Sequence, residues 1–139
     1  MSNALSRFIT AQEDSYPIAL AEIQSGKKRS HWMWYILPQL KGLGFSDTAR
    51  FYGIENREEA KAYLEHPVLG SRLREICGEL LTLSSSDPHD IFGSPDDMKL
   101  KSCATLFLLV QTSDENIFKK ILDKFFGGEI DLETEKLLR

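Results

Sequence analysis

The sequence predicts an all-α fold, and three observations carry that expectation. Apolar residues recur at Leu73, Ile76, Cys77, Leu80 and Leu81, and again at Ile117, Phe118, Ile121, Leu122, Phe125 and Phe126. Spacing of i, i+3, i+4, i+7 gathers apolar side chains on one face of a helix. Start and stop residues bracket these periodic segments. No segment stands out with the period of two that marks a half-buried strand. The expected architecture is a single compact orthogonal-type bundle over residues 1–139, with about six to eight helices, some of them short.

The elements follow in order. Leu5, Phe8 and Ile9 begin an apolar stripe near the N-terminus. Tyr16-Pro17 reads as a helix opening, because proline suits the first turn, and Gly26 suits the C-terminal cap. The region 30–55 is the least regular. Within it Pro38 stops a short helix and Ser46 caps the next one. Asn56 with Glu59 resembles a capping box for a helix through Leu64. His66-Pro67 starts another helix, running to about Leu83, and 84–88 forms a loop.

Ser94-Pro95-Asp96-Asp97 combines a cap, a proline at the first helical position and acids in the first turn. The following run, Cys103 to Val110, is apolar on all sides. Alone it fits a buried strand as well, but the start signal favours a central helix. Another helix begins near Asp114 and ends at Gly127-Gly128. Residues 131–135 cap a short final helix.

Composition limits the function. The chain has 139 residues, 42% apolar and 27% charged, as in an ordinary globular domain. A chain this long buries a core without metals or disulfides. It shows neither a membrane-spanning run nor a signal peptide, so the expected location is cytoplasmic. Cys77 and Cys103 sit in helical apolar patterns and read as buried free thiols. No metal-ligand spacing appears, and no metal is expected. The net charge is −4, so the three cations Lys27, Lys28 and Arg29 leave −7 for the rest of the chain. A basic cluster that is local argues against general nucleic-acid binding, which needs a broad basic face.

The candidate site grows from that cluster. Lys27-Lys28-Arg29-Ser30-His31-Trp32-Met33-Trp34-Tyr35 concentrates cations, an imidazole and aromatic rings. If Gly26 closes one helix and Ser30 caps the next, the cations lie between the two. A phosphate there meets free backbone N–H groups, a helix dipole and Lys or Arg together. The plainer alternative is charge complement at a helix C-terminus. On a helix, Trp32, Tyr35 and Ile36 share one face, which suits the core, while His31 and Trp34 share another.

The ligand-binding candidates are therefore Lys28, Arg29, Ser30 and Trp34, with Gln39 after them. His31 is the one catalytic candidate, as an acid or base near neutral pH. Gly42, Gly44 and Ser46 lie on a loop that lacks the third glycine and preceding strand of a phosphate fingerprint. The loop either forms one wall of the cleft or is only a tight turn. Lys99 joins the set from a polar strip with Ser102 and Thr105, which either faces the cleft or hydrogen-bonds locally.

The run from Ser30 to Gln39, followed by Gly42-Leu43-Gly44-Phe45-Ser46, resembles the signature of the domain of unknown function 1810 family. Phe8 to Gln12, Tyr63 to Gly70 and Leu122 to Phe126 extend the resemblance over nearly the whole chain. The resemblance implies a small, mainly α-helical bacterial-type protein and tilts the ligand toward NAD or ADP-ribose metabolism. It carries over no reaction, catalytic residue or cofactor. The expectation is thus a small anionic, nucleotide-like ligand around His31 and Trp34. An enzyme acting by transfer or hydrolysis at a nucleotide derivative is left open. The alternative is a non-catalytic protein-interaction module, in which the aromatics of 27–35 anchor a partner and the basic residues form the rim.

Overall fold

A computed structural model describes residues 4–111 and 116–139. Nine helices are present among these residues: α1 (Ser6–Gln24), α2 (Met33–Ile36), α3 (Asp47–Tyr52), α4 (Arg57–Glu65), α5 (Leu69–Thr82), α6 (Pro88–Phe92), α7 (Asp96–Val110), α8 (Ile117–Phe126) and α9 (Leu132–Leu138). The surplus over the expected number consists of short helices. The one unforeseen element is α6, which Asp87 caps by accepting the His89 N–H at 2.9 Å. Its residues are too few to show a period.

The element order works outward from α7. This helix runs Leu100, Cys103, Ala104, Leu106, Phe107 and Val110 into the core. It packs against α4, α6, α8 and α9, while α5 packs against α1, α4 and α8. The apolar face of α8, Phe118, Ile121, Leu122 and Phe125, closes the other side. Fully burying a side chain of this kind contributes about 1.5–3 kcal/mol, so this centre carries much of the stability. Gly127, in the left-handed region at φ 62°, ends α8, and the Gly128 N–H donates back to the Leu122 carbonyl at 2.9 Å. The expected start of that helix near Asp114 lies outside the described residues.

Several boundaries differ from expectation, two of them at prolines. The first helix does not begin at Pro17 but runs straight through it. Phe8, Gln12, Tyr16, Ala19 and Ile23 form one continuous buried stripe, and α1 packs on α5 along it. Interior proline costs about 3 kcal/mol, and burial of that stripe offsets it, with the ring itself on the exposed side. At α7, Pro95 is the cap residue rather than the first helical residue, and Ser94 makes no cap bond. The capping box also shifts. Asn56 Oδ1 accepts the Glu59 N–H at 2.9 Å, but the Glu59 carboxylate accepts from the Glu55 N–H and pairs with Arg7. Arg7 donates as well to the carbonyls of Phe51 and Gly53, fastening α1 to the end of α3.

Side chains satisfy both ends of α5. His66 Nδ1 accepts from the Val68 and Leu69 N–H groups at the start of α5. At the end of α5, the Lys124 ammonium donates to the carbonyls of Leu80, Leu81 and Leu83. Free helix-end carbonyls carry partial negative charge, so an ammonium there is doubly favourable. No helix among the described residues is long and apolar enough to cross a membrane.

Candidate functional site

The segment after α1 is held by one carboxylate. Glu22, in the last turn of α1, accepts from the N–H groups of Arg29 and Ser30, from the Ser30 hydroxyl and from Trp32 Nε1, all at 2.6–3.0 Å. Partial burial pushes its pKa up, but these four donors outweigh that and hold it at about 2. Ser30 therefore does not cap α2, whose cap residue is Trp32. Instead of accepting a helix N–H, the Ser30 hydroxyl donates to a charged carboxylate. The sequence reading missed Glu22. An acid in the last turn of a helix opposes the helix dipole, and that mismatch was the available signal.

Lys28 turns inward. Its side chain is 7% exposed, and its Nζ lies 2.8 Å from Asp96 Oδ2 and donates to the Ser30 carbonyl at 2.5 Å. It also stands 5.1 Å over the Trp32 ring. Trp32 itself is buried, as its predicted face requires, together with Ile36. Tyr35 is half-buried, with its hydroxyl bonded to Ser15 at 2.9 Å. Arg29 and His31 stand exposed. Among the described residues their side chains make no ion pair or hydrogen bond. Their backbones are used: the Arg29 N–H donates to Glu22, and the His31 carbonyl accepts from the Tyr35 hydroxyl at 3.4 Å.

Trp34 points the other way and meets residues distant in sequence. Trp34, Gln39, Tyr52 and Lys99 line one crevice, floored by Met33 and Leu37. Lys99 Nζ lies 5.1 Å over the Trp34 ring, within cation–π range. Its other contact is Asp96 Oδ1 at 3.3 Å. Gln39 is set by a lone parallel bridge between Leu40 and Ile54, in which the Ile54 N–H donates to the Gln39 carbonyl at 3.0 Å. Its side-chain amide has no protein partner among the described residues. Gly44 allows the loop to close on this wall. A Cβ there would lie 2.7 Å from Ala49 Cβ and 3.4 Å from Gln39 Nε2. Gly42, at φ 105°, makes the turn, and Ser46 caps α3 by accepting the Ala49 N–H at 3.1 Å.

The structure thus divides the predicted set. It brings together Trp34, Gln39 and Lys99, with Gly44 against them. It assigns Ser30 and Lys28 to Glu22 and Asp96, and leaves Arg29 and His31 outside the crevice lining. The polar strip on α7 also splits. Ser102 donates to Asp131 at 2.9 Å, and Thr105 Oγ1 accepts the Asp131 N–H at 2.9 Å, docking the start of α9. Only Lys99 of that strip reaches the crevice.

Size is decisive for what fits. The crevice holds about 10 Å³, room for roughly one water-sized group. Two wider hollows lie elsewhere. One of about 420 Å³ runs beside Lys27, Lys28 and His89, and one of about 580 Å³ beside Lys101, Ile130, Leu132 and Lys136. The first meets the stem of a lysine whose ammonium faces Asp96. The second is an open groove whose Lys101 already lies 3.9 Å from Glu129. Neither gathers the aromatic, amide and ammonium groups found around Trp34. No group of three or more metal-ligating side chains is assembled among the described residues.

The fold and site define a class: a small all-helical protein with an aromatic and cationic crevice beside a cross-linked basic segment. Residues 2–138 match the family described as "Protein of unknown function (DUF1810)", and the chain belongs to that family. It is similar in structure to a conserved hypothetical protein, Rv1873, from Mycobacterium tuberculosis, known from a crystal structure. The two share 45% identity over 96% of this chain and 95% of that one, with a TM-score of 0.93. No curated protein matches the chain.

Proposed function

We propose that this protein binds a small anionic, nucleotide-like ligand at the Trp34–Gln39–Lys99 crevice. The observation that supports this is the state of Lys99. Its side chain is 24% exposed, and its ammonium leans on an aromatic face and has one ion-pair contact, at 3.3 Å, to a carboxylate already shared with Lys28. An ammonium has three donors, so Lys99 retains capacity for an anion. The Gln39 amide beside it supplies a neutral donor.

The crevice volume sets the pose. One anionic oxygen enters beside Lys99, while the body of the ligand lies across the mouth. A base stacked on the Lys99 side of Trp34 would displace the ammonium, so Trp34 acts as an edge or opposite-face contact. Arg29 and His31, exposed within five residues of Trp34, supply contacts to that outer body. His31 is assigned contact rather than proton transfer.

The test is thermal unfolding with inorganic phosphate, mononucleotides, ADP-ribose and NAD. A ligand at 100 times its dissociation constant stabilises by about 2.7 kcal/mol. The gain should vanish in Lys99→Ala and Trp34→Ala and shrink in His31→Ala. Absence of a shift with every anion would overturn the proposal.

A second reading, protein interaction, draws on a different observation. Trp32 is too buried to anchor a partner, and Tyr35 is half-buried with its hydroxyl bonded to Ser15, but Phe45 is 76% and Phe51 59% exposed on the neighbouring loop and on α3. Loss of association in Phe45→Ser and Phe51→Ser, with no anion effect, would favour it over ligand binding.

A further inference from the structure

Asp96 fixes how much negative charge the crevice tolerates. Its two carboxylate oxygens are divided between two lysines, Oδ2 at 2.8 Å from Lys28 Nζ and Oδ1 at 3.3 Å from Lys99 Nζ. Lys28 is spent. It is nearly buried, it also donates to the Ser30 carbonyl, and it covers Trp32. Of the two ammoniums only Lys99 faces the crevice, and it does so with a carboxylate at its back.

An anionic oxygen bonded to Lys99 sits about 2.8 Å from its Nζ. Asp96 Oδ1 is 3.3 Å from the same nitrogen, so the two negative groups are no more than about 6 Å apart. The charges of Lys28, Lys99 and Asp96 leave one net positive charge, and Glu22, bonded to Ser30 and Trp32, brings the wider group to zero. One negative charge at Lys99 neutralises the three groups nearest to it. A second meets Asp96 with no further cation lining the crevice.

From this geometry we infer that the ligand group whose oxygen enters the crevice is a monoanion, such as one phosphate of a pyrophosphate diester, a phosphodiester or a carboxylate, rather than a terminal phosphate dianion. Asp96 is then the residue that sets specificity, acting through Lys99. This rests on the binding site proposed above and narrows its ligand class.

The test compares two probes that differ in one charge: adenosine 5′-monophosphate at pH 8 and its methyl phosphodiester. Calorimetric titration of the wild-type protein should show tighter binding of the methyl ester. Asp96→Asn should reverse the order, moving the ratio of affinities by about tenfold. Asp96→Glu should restore the wild-type order. Tighter binding of the monophosphate by the wild-type protein would overturn the inference, and so would an unchanged ratio in Asp96→Asn, while leaving the binding site in place. Binding of neither probe would overturn the site and the inference together. The wild-type comparison decides the matter even if Asp96→Asn, which leaves Lys28 without its carboxylate, fails to fold.

Discussion

Replacing Glu22 with glutamine removes one charge and should loosen the whole segment 29–32. The carboxylate takes four hydrogen bonds, and its pKa is lowered from 4.5 to about 2 in spite of partial burial, which acts in the opposite direction. A shift of that size corresponds to about 3 kcal/mol. Solvent reaches this carboxylate, so screening reduces the contribution to roughly 1–2 kcal/mol. Because the folded pKa is depressed, the stabilisation is present above pH 4.5 and is lost as pH falls toward 2.

Urea unfolding of wild type and Glu22→Gln, followed from pH 7 down to pH 2, measures it. The difference should be about 1–2 kcal/mol at neutral pH. It should stay flat until near pH 4.5 and then shrink toward pH 2. The Trp32 indole should become more solvent-exposed in the variant, because Nε1 loses its charged acceptor. A difference below about 0.5 kcal/mol at pH 7, or one that does not change with pH, would refute the reasoning.

Two predictions concern the core. Gly70→Ala places a Cβ 2.0 Å from the Leu64 carbonyl oxygen, a backbone atom in the last turn of α4 that cannot swing away. It should cost more than about 3 kcal/mol and lower the unfolding midpoint accordingly, as read by circular dichroism; a change under 1 kcal/mol would contradict the packing. Burial pushes the Cys77 thiol up to about 12 and the Cys103 thiol well above its ordinary range. Neither should react with a thiol reagent at pH 8 in the native protein, and both should react in denaturant.

The legible part of this molecule was its periodic part. The stripes of α5 and α8 announced themselves because each buries one face and leaves the other in water. The caps at Ser46, Asn56 and Asp131 were legible because each is a local bond over three residues. Pro17 misled because its local penalty is outweighed by tertiary burial that only the fold supplies.

The site was legible in one respect and not in another. Trp32 is buried and Trp34 lines the crevice, as the face assignment expected, but Trp32 precedes α2 as its cap residue and His31 does not join Trp34 there. The partners of both are set by long-range contacts. Glu22 reaches Trp32 from the preceding helix, and Lys99 reaches Trp34 from 65 positions along the chain, a pairing that spacing cannot specify. The same holds for Ser102 and Thr105, whose partner Asp131 lies on the far side of α8 in the chain.

The central claim is that an anion is held beside Trp34 and not beside Trp32. The chain has two tryptophans, so an amide and indole nuclear magnetic resonance spectrum of ¹⁵N-labelled protein contains two indole N–H signals. They are assigned by Trp32→Phe and Trp34→Phe. Titration with ADP-ribose should move the Trp34 signal in a saturable way and leave the Trp32 signal in place, because Glu22 holds that indole. Lys99→Ala should abolish the movement. Movement of Trp32 alone, or of neither signal, would contradict the account.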